Sequence, residues 1–429
     1  MASDVASRER GGLVQRAGAE VIRQYREAYS GLPRAAWALA LLELVNRSGT
    51  MVVFFLTLYM TRHLGFSLAE TGRAMSAYGL GSVVGTYFGG RLCDRIGAYH
   101  VQKISLASCG VLLVALSLPR TPWAVAGLLF FLAVAHEALH PANATATAQI
   151  CAPELRPRGF ALHRLAGNLG VSIGPVVGGF LALSDYRWLF WVDGLTSLAA
   201  AGLALWLLPT AGPHDGTHGR PTRSAWRDRG FVAILPLALG VGLIFVQMIN
   251  AFPVYMRTAY GLAENAIGGL LAVNTTMIVT IEMLLMHWLR RARPGRVASV
   301  GALLLGLGFA LMPLGHGGLY AVFTVMVWTM GEILTLPMLM TLVSTRADEA
   351  SQGEYQGLCS LAFAAAWVIG PSLGMGIYGR FGSEALWYAC GLLGIALSIG
   401  FGRVRGRSPR PADAGTERAA RVDGAPVAE

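Results

Sequence analysis

Residues 174–178 read Gly-Pro-Val-Val-Gly, and residues 370–374 read Gly-Pro-Ser-Leu-Gly, 196 positions later. A single match of this kind carries little weight. Two further pairs recur in chain order at shifts of 195 or 196: Leu58-Tyr59-Met60 with Val254-Tyr255-Met256, and Glu137 and Pro141 with Glu332 and Pro337. Three matches at nearly one shift indicate two halves built as parallel repeats.

The composition places these halves in a membrane. Of the 429 residues, 54% are apolar and 14% are charged, whereas soluble domains carry about a quarter charged residues. A helix needs roughly 20 mostly apolar residues to cross a bilayer, and such windows fill most of the chain. We therefore predict an all-α membrane protein with twelve transmembrane helices in two six-helix pseudo-symmetric halves. The predicted spans are 36–61, 68–90, 100–119, 122–150, 158–183, 188–208, 230–256, 265–289, 297–315, 318–345, 354–379 and 384–402.

The polar stretches predict the remaining organisation. The predicted units are an N-terminal tail at 1–34, a six-helix bundle at 35–208, a linker at 209–229, a second bundle at 230–403 and a C-terminal tail at 404–429. Residues 13–29 have an amphipathic pattern, which fits a helix on the membrane surface and equally a loosely ordered tail.

Arginine is concentrated in the tails and in every second loop. The opposite loops hold only Arg62, Arg120, Arg187, Arg257 and Arg380. Basic residues accumulate on the cytoplasmic side of membrane proteins. We therefore expect a multi-pass protein of the inner (plasma) membrane with both termini in the cytoplasm.

Several other classes of protein are disfavoured. The net charge of +10 does not indicate nucleic-acid binding, because the basic residues lie at alternate ends of the apolar segments. The five cysteines show no CxxC spacing, so neither a metal site nor a disulfide framework is expected. The sequence contains no Walker motif, so we do not expect an ATP-driven pump. Residues 136–140 match HExxH, and residues 170–174 and 370–374 match GxSxG, but all three lie inside predicted membrane spans, and we expect no enzyme. We expect a monomer in the lipid bilayer that handles a small-molecule substrate and protons, with no cofactor and the proton gradient as energy source.

Two motifs resemble those of a known family. Residues 167–179 read GNLGVSIGPVVGG, and the run resembles the span-5 motif of drug/proton antiporters in the major facilitator superfamily. The resemblance implies a kinked helix that seals the path against leak, formed by Gly170, Gly174, Pro175, Gly178 and Gly179.

Residues 90–97 read GRLCDRIG and are similar to the signature cytoplasmic loop of the same superfamily. The resemblance implies a gate made of Gly90, Arg91, Asp94, Arg95 and Gly97, in which Asp94 pairs with a neighbouring helix and latches the two halves. Ala98, Tyr99 and His100 replace the usual basic residues after Gly97, which implies a weaker latch.

Ionisable side chains inside the predicted spans are costly and commonly functional. Glu137 and Glu332 occupy corresponding repeat positions, four or five residues before a proline. A buried carboxyl group can exchange protons near neutral pH. We predict Glu332 and Glu137, then Glu43, as proton-coupling residues; for each alone, a structural contact between helices is an equal alternative.

The companions of these acids are polar residues in the same spans. We predict Arg47 as the counter-charge that switches between carboxylate and substrate, with Asn46 and His140 beside it. For Asp193 we expect a structural role, and the role of Glu282 is left open.

A second resemblance supplies the alternative function. Residues 43–47, Glu-Leu-Val-Asn-Arg, resemble the E-x-x-E-R motif of proton-coupled oligopeptide transporters, with Asn46 in place of the second acid. His140 stands where that family has lysine, and residues 331–337 are similar to its G-E-x-x-x-S-P motif. Because that acid and that lysine are missing, we expect proton-coupled efflux of small amphiphilic molecules or drugs by alternating access. Proton-coupled symport of peptides or related small solutes is the alternative.

Overall fold

A computed structural model describes residues 31–152, 155–208, 225–289, 292–346 and 352–404. The predicted surface segment at 13–29 lies outside the described residues, as do most of the predicted linker and nearly all of the C-terminal tail. The described residues form helices joined by short turns, and they contain no β-strand.

The helices are numbered here in chain order. They are α1 Arg34–Ser48, α2 Val52–Leu58, α3 Leu68–Ile96, α4 Ala98–Leu116, α5 Pro122–Glu137, α6 Leu139–Ile150, α7 Arg156–Ser184, α8 Arg187–Leu207, α9 Arg229–Val232, α10 Leu235–Asn250, α11 Phe252–Thr258, α12 Glu264–Leu289, α13 Pro294–Leu311, α14 Gly318–Ser344, α15 Gln352–Phe381 and α16 Ser383–Arg403. One π-turn, Tyr59–His63, extends α2.

Eleven segments of the described chain are long and apolar enough to cross a membrane. The twelfth crossing is α3, which has 29 residues but is rich in glycine and has charged residues at both ends, so its composition alone does not reveal it. Twelve crossings place residues 31 and 404 on the same side of the membrane. We call this the tail side and the opposite one the far side.

Three crossings are interrupted, each for a local reason. The break between α5 and α6 lies at Ala138, and the break between α10 and α11 lies at Ala251. Pro141 and Pro253 follow these breaks, and proline cannot donate a hydrogen bond to the carbonyl four residues earlier. The break between α1 and α2, around Gly49, has no proline and is instead stabilised from a neighbouring helix, as described below.

The two halves repeat the same three helix pairings. In the first half α1 packs on α7, α3 on α5 and α4 on α8. In the second half the corresponding pairs are α10 with α15, α12 with α14 and α13 with α16. The shared pairing matches the repeat in the sequence and gives the predicted pair of pseudo-symmetric six-helix halves.

Two long helix pairs join the halves, α3 with α15 and α7 with α12, and the short α2 also contacts α10 and α11 of the second half. Both seams are tight on the far side because glycines let the backbones approach. A Cβ atom added at Gly72 would lie 3.0 Å from the carbonyl oxygen of Pro371, and one added at Gly179 would lie 2.7 Å from that of Glu264. The halves are therefore closed against each other on the far side.

One sequence prediction about local structure is wrong. The stretch 90–97 was expected to be a loop after a span ending at residue 90, but α3 continues to Ile96. Residues 91–96 contain no helix breaker, and the helix stops only at Gly97, whose φ of +86° favours glycine. The remaining predicted spans end within four residues of the observed ones.

Candidate functional site

A buried ion pair lies on one face of α1. Glu43 and Arg47 are one helical turn apart, and the Nε of Arg47 donates a 2.8 Å hydrogen bond to the Oε1 of Glu43. Only 9% of the Glu43 side chain and 21% of the Arg47 side chain is exposed. The four-residue spacing therefore makes this contact within one helix.

Neighbouring helices complete the surroundings of Glu43 with groups that the sequence patterns did not single out. The Nδ2 of Asn143 on α6 donates a 3.1 Å bond to the Oε2 of Glu43, and the Nε2 of Gln102 on α4 donates a 2.5 Å bond to the Oδ1 of Asn143. The Nε2 of His163 on α7 lies 3.7 Å from Glu43. Side chains from α6 and α7 thus reach the Glu43 carboxylate directly, and α4 reaches it through Asn143.

Glu137 lies nearby, at the break between α5 and α6. Its carboxylate is 3.3 Å from the Nδ1 of His136 and 3.7 Å from the Nε2 of His140. More than half of the His140 side chain is exposed, although it lies near the middle of its crossing. Hydrocarbon does not solvate such polar groups, so this exposed surface lines a water-accessible space rather than lipid.

Polar groups beside the ion pair bond to α8. The Oδ1 of Asn46 accepts a 3.4 Å bond from Ser197 on α8, and Asn46 lines the same small cavity as Glu43. The Oδ2 of Asp193, also on α8, accepts from the backbone N–H groups of Met51 and Val52 at 3.4 and 3.3 Å. Asp193 therefore caps the start of α2 at the helix break.

The second half has a simpler acidic site. Glu332 on α14 is 8% exposed, and its Oε2 accepts a 2.9 Å bond from the Nδ2 of Asn274 on α12. The same nitrogen lies 3.1 Å from the Oγ1 of the buried Thr329. No cationic side chain of the described ranges forms an ion pair with Glu332, in contrast to Glu43. The proline after Glu332, Pro337, lies inside an unbroken α14.

Asn274 was not among the predicted site residues because nothing in the sequence marks it. It is an isolated amide in an apolar span, without a motif or a repeat partner among the candidates. A search for every polar side chain inside an apolar span would have found Asn274, because such groups are costly in a membrane. The same search would have found Gln102, Asn143 and His163.

Glu282 makes a contact between the two halves. It is hydrogen-bonded to Arg164 of α7, across the seam between α7 and α12. Tyr78 and Trp367 meet across the other seam, with ring centroids 6.1 Å apart. Phe252 is fully buried against Trp328, which identifies it as a packing residue.

The family-like motifs lie on the helices of the seams. In α7, Gly170 and Gly174 pack on the backbone of α1 and the α1–α2 break, and Gly178 packs on Met51. Gly179 packs on α12 of the other half, and Pro175 lies inside an unbroken α7.

The tail-side end of α3 carries the other motif. Asp94 and Arg95 are exposed there, and Arg91 stacks on the ring of Tyr87 at 4.3 Å. Within the described parts of the chain Asp94 has no ion-pair partner, and Gly90 has no neighbouring atom that a Cβ would touch.

Residues 39–371 match the sequence model of the Major Facilitator Superfamily. The chain belongs to this superfamily. The match covers more than three quarters of the 429 residues and agrees with the resemblance found in the two motifs. It also agrees with the pairing of twelve crossings in two halves, so the chain is a multi-pass membrane protein with a transporter fold.

Two similar curated proteins are named multidrug resistance protein MdtH. The chain is 25% identical over 372 residues to the multidrug resistance protein MdtH of Yersinia enterocolitica, covering 82% of this chain and 90% of the relative. It is also 25% identical over 359 residues to MdtH of Cronobacter sakazakii, with coverage of 81% and 88%.

Solved structures of the superfamily share the fold. A POT family transporter in complex with a thioalcohol-conjugated peptide superposes with a TM-score of 0.75 at 16% identity, covering 87% of this chain and 96% of that one. The nucleoside transporter NupG superposes with a TM-score of 0.72 at 14% identity, with coverage of 86% and 98%. At these identities the likeness concerns the fold alone.

Proposed function

We propose that this superfamily member is a proton-driven exporter of small amphiphilic molecules, and that it lies in the inner membrane with its tail side in the cytoplasm. The arginine bias supports the orientation. The name shared by the relatives, multidrug resistance protein, supports export of drug-like molecules. The absence of a Walker motif from the sequence supports a secondary transporter driven by an ion gradient.

The observation that carries the proposal is the contrast between Glu332 and Glu43. Glu43 has Arg47 as a counter-ion, so its charge is compensated. Glu332 is equally buried but receives only an amide N–H. An uncompensated charge in a low-dielectric site is costly, so a carboxyl group in this position favours its neutral form until a cation or water reaches it. Such a group suits a proton carrier.

Alternating access then follows from the shape of the seams. The far side is closed, and the partly exposed side chains of Glu137 and His140 face water at mid-membrane depth. In this state Glu332 would release its proton towards the cytoplasm, and its negative charge would favour binding of an amphiphilic cation. After the halves rock, a proton from outside would neutralise Glu332 and the cation would leave.

The motif residues support the same cycle. The glycines of α7 allow α1, α7 and α12 to pack closely, which suits a seal on the far side. Asp94 lies at the end of α3 that would close in the opposite state, where it would latch onto the other half. Glu137, Glu43 and Arg47 would tune the charge of the water-accessible space, with His140 at its surface.

Peptide symport is the weaker alternative. The structural likeness to peptide transporters lies at 16% identity and concerns the fold only. Asn46, which stands where that family has its second acid, is an uncharged amide whose oxygen accepts a bond from Ser197.

Transport by proteoliposomes with an imposed pH gradient tests the proposal. We expect gradient-driven export of a fluorescent amphiphilic cation, and we expect Glu332→Gln to abolish the response to the gradient while the protein remains folded. Export that ignores the gradient, or normal coupling in E332Q, would refute proton coupling through this residue. Proton-dependent uptake of a dipeptide would favour the alternative.

A further inference from the structure

A groove of about 720 Å³ runs along the far-side end of the seam between α3 and α15. It lies outside the acidic sites and between the two halves. The wall from α15 includes Leu373, Ile377 and Phe381, and both helices contribute one arginine, Arg73 from α3 and Arg380 from α15.

The groove faces the lipid. Arg73 lies on the same helical stripe as Leu80 and Tyr87, seven and fourteen residues further along α3, and both of these apolar side chains are exposed. Arg380 lies on the stripe of exposed Leu373 in the same way. In a membrane-spanning helix, large exposed apolar side chains mark the surface that contacts acyl chains.

Neither arginine of the groove is held in an ion pair in the described part of the chain. Glu70 lies one turn before Arg73 and is the nearest acid on that helix, but its Oε2 accepts from the backbone N–H and the hydroxyl of Ser67 at 2.9 and 2.7 Å, so it makes no direct contact with the guanidinium. Two guanidinium groups without a direct acidic contact therefore line one apolar groove at the membrane interface.

The depth of the two arginines in the membrane indicates which ligand they bind. Arg380 lies in the last turn of α15, and Arg73 lies five residues inside α3, about 7 Å below the start of that helix at the rise of an α-helix. Headgroup phosphates occupy this zone, and guanidinium groups bind phosphate through paired N–H donors. An amphiphilic cation, the substrate class proposed above, would be repelled by the same pair of charges.

We propose that the groove binds an anionic phospholipid of the far leaflet. Its phosphate contacts Arg73 and Arg380, and an acyl chain lies along Leu373 and Ile377. Because one arginine belongs to each half, the bound lipid bridges the seam next to the hydrogen bond between Ser76 and Ser372, whose hydroxyl oxygens are 2.8 Å apart. The lipid thereby stabilises the conformation that is closed on the far side.

Binding is measured by native mass spectrometry of the purified chain with phosphatidylglycerol or phosphatidylcholine. Each arginine near an anionic headgroup contributes about a fivefold preference, so two predict about a 25-fold preference for phosphatidylglycerol. The double variant Arg73→Gln/Arg380→Gln should bind both lipids alike. The matched control Arg62→Gln/Arg120→Gln removes two far-side charges outside the groove and should keep the preference.

An unchanged preference in the groove variant, an equal loss in the control, or displacement of phosphatidylglycerol by a transported cation would overturn the lipid assignment. The bridging role is tested separately with Ser76→Cys in vesicles, labelled from the far side by an impermeant maleimide; the five native cysteines are buried. Phosphatidylglycerol should slow the labelling several-fold relative to phosphatidylcholine, and the groove variant should lose this effect. Equal labelling in both lipids would refute the bridge.

Discussion

Arg47 donates a 2.8 Å hydrogen bond from its Nε to the Oε1 of Glu43, and both side chains lie inside the first half of the molecule. The pair has further neighbours in Asn143 and His163, so Glu43 is the centre of a network rather than an isolated charge. The effect of breaking the pair therefore depends on which partner is left behind.

Arg47→Gln should destabilise the protein by about 3 kcal/mol, because it leaves a buried carboxylate without its counter-ion. The double variant Glu43→Gln/Arg47→Gln should lose less than R47Q alone, since no charge is then left uncompensated. Thermal unfolding in detergent measures both. If the double variant is less stable than R47Q by as much as Glu43→Gln alone destabilises the protein, the two side chains are not coupled.

Asn274→Leu should change the pH profile of export. Asn274 donates the N–H that bonds the carboxylate of Glu332, and the variant removes this donor. Thr329→Val is the control, because it removes the other contact of Asn274 and leaves the donor to Glu332 in place. An unchanged pH profile of export in N274L would mean that Glu332 does not take part in proton coupling.

Asp193→Asn should leave proton coupling intact. Asp193 accepts backbone N–H groups at the start of α2, and an amide oxygen can still accept them. Asp193→Ala, which removes the acceptor, should cost about 1 kcal/mol of stability, as expected for loss of a helix cap. Loss of gradient-driven export in a folded D193N protein would show that Asp193 carries protons after all.

The positions of the helices were largely readable from the sequence, whereas the partners of the polar side chains were not. Apolar runs determine where spans begin and end, and a proline lies next to two of the three interrupted crossings; these features are local. The end of α3 was missed because Arg91, Asp94 and Arg95 suggest a loop by their polarity, yet helices readily continue into the interface with such residues.

In the candidate site, contacts within one helix could be predicted from the sequence, whereas contacts between helices could not. The spacing of Glu43 and Arg47 predicts their contact because both lie on one helix. The contact between Glu332 and Asn274 joins α14 to α12, 58 residues apart, and no local pattern encodes it. Asn46 has the spacing to join Glu43, but the packing of α1 against α8 turns its side chain to Ser197.

Tyr186→Phe should loosen the far-side closure. The hydroxyl of Tyr186 in the first half donates a 2.8 Å bond to Glu264 of the second half, and Arg257 lies 3.5 Å from the same carboxylate oxygen. A hydrogen bond to a charged acceptor contributes about 1.5 kcal/mol, so its loss should shift the balance between the closed and open states roughly tenfold.

Spin-label distances across the far side measure this shift. Tyr260→Phe is the matched control, because its hydroxyl bonds to the carbonyl oxygen of Met312 within the second half. Equal distance distributions in Y186F and the unchanged protein would mean that the bond does not hold the halves together.

Gly268 and Gly269 are adjacent on α12 but differ in what they face. A methyl group at Gly268 would run into the carbonyl oxygen of Pro175 on α7, whereas one at Gly269 would meet no atom within 4 Å. Gly268→Ala should therefore push the halves apart and destabilise the far-closed state by about 1–3 kcal/mol, the usual cost of overpacking. Gly269→Ala should be neutral or slightly stabilising, since alanine favours helix.

The readouts for this pair are the melting temperature in detergent and the rate at which a far-side cysteine is labelled. G268A should have a lower melting temperature than G269A, and its far-side cysteine should be labelled faster. Both effects would arise because the seam between α7 and α12 is displaced. If G268A melts earlier without faster labelling, the contact stabilises the fold but does not close the far side. Identical behaviour of the two variants would mean that α7 and α12 do not approach each other as closely as the Pro175 contact requires.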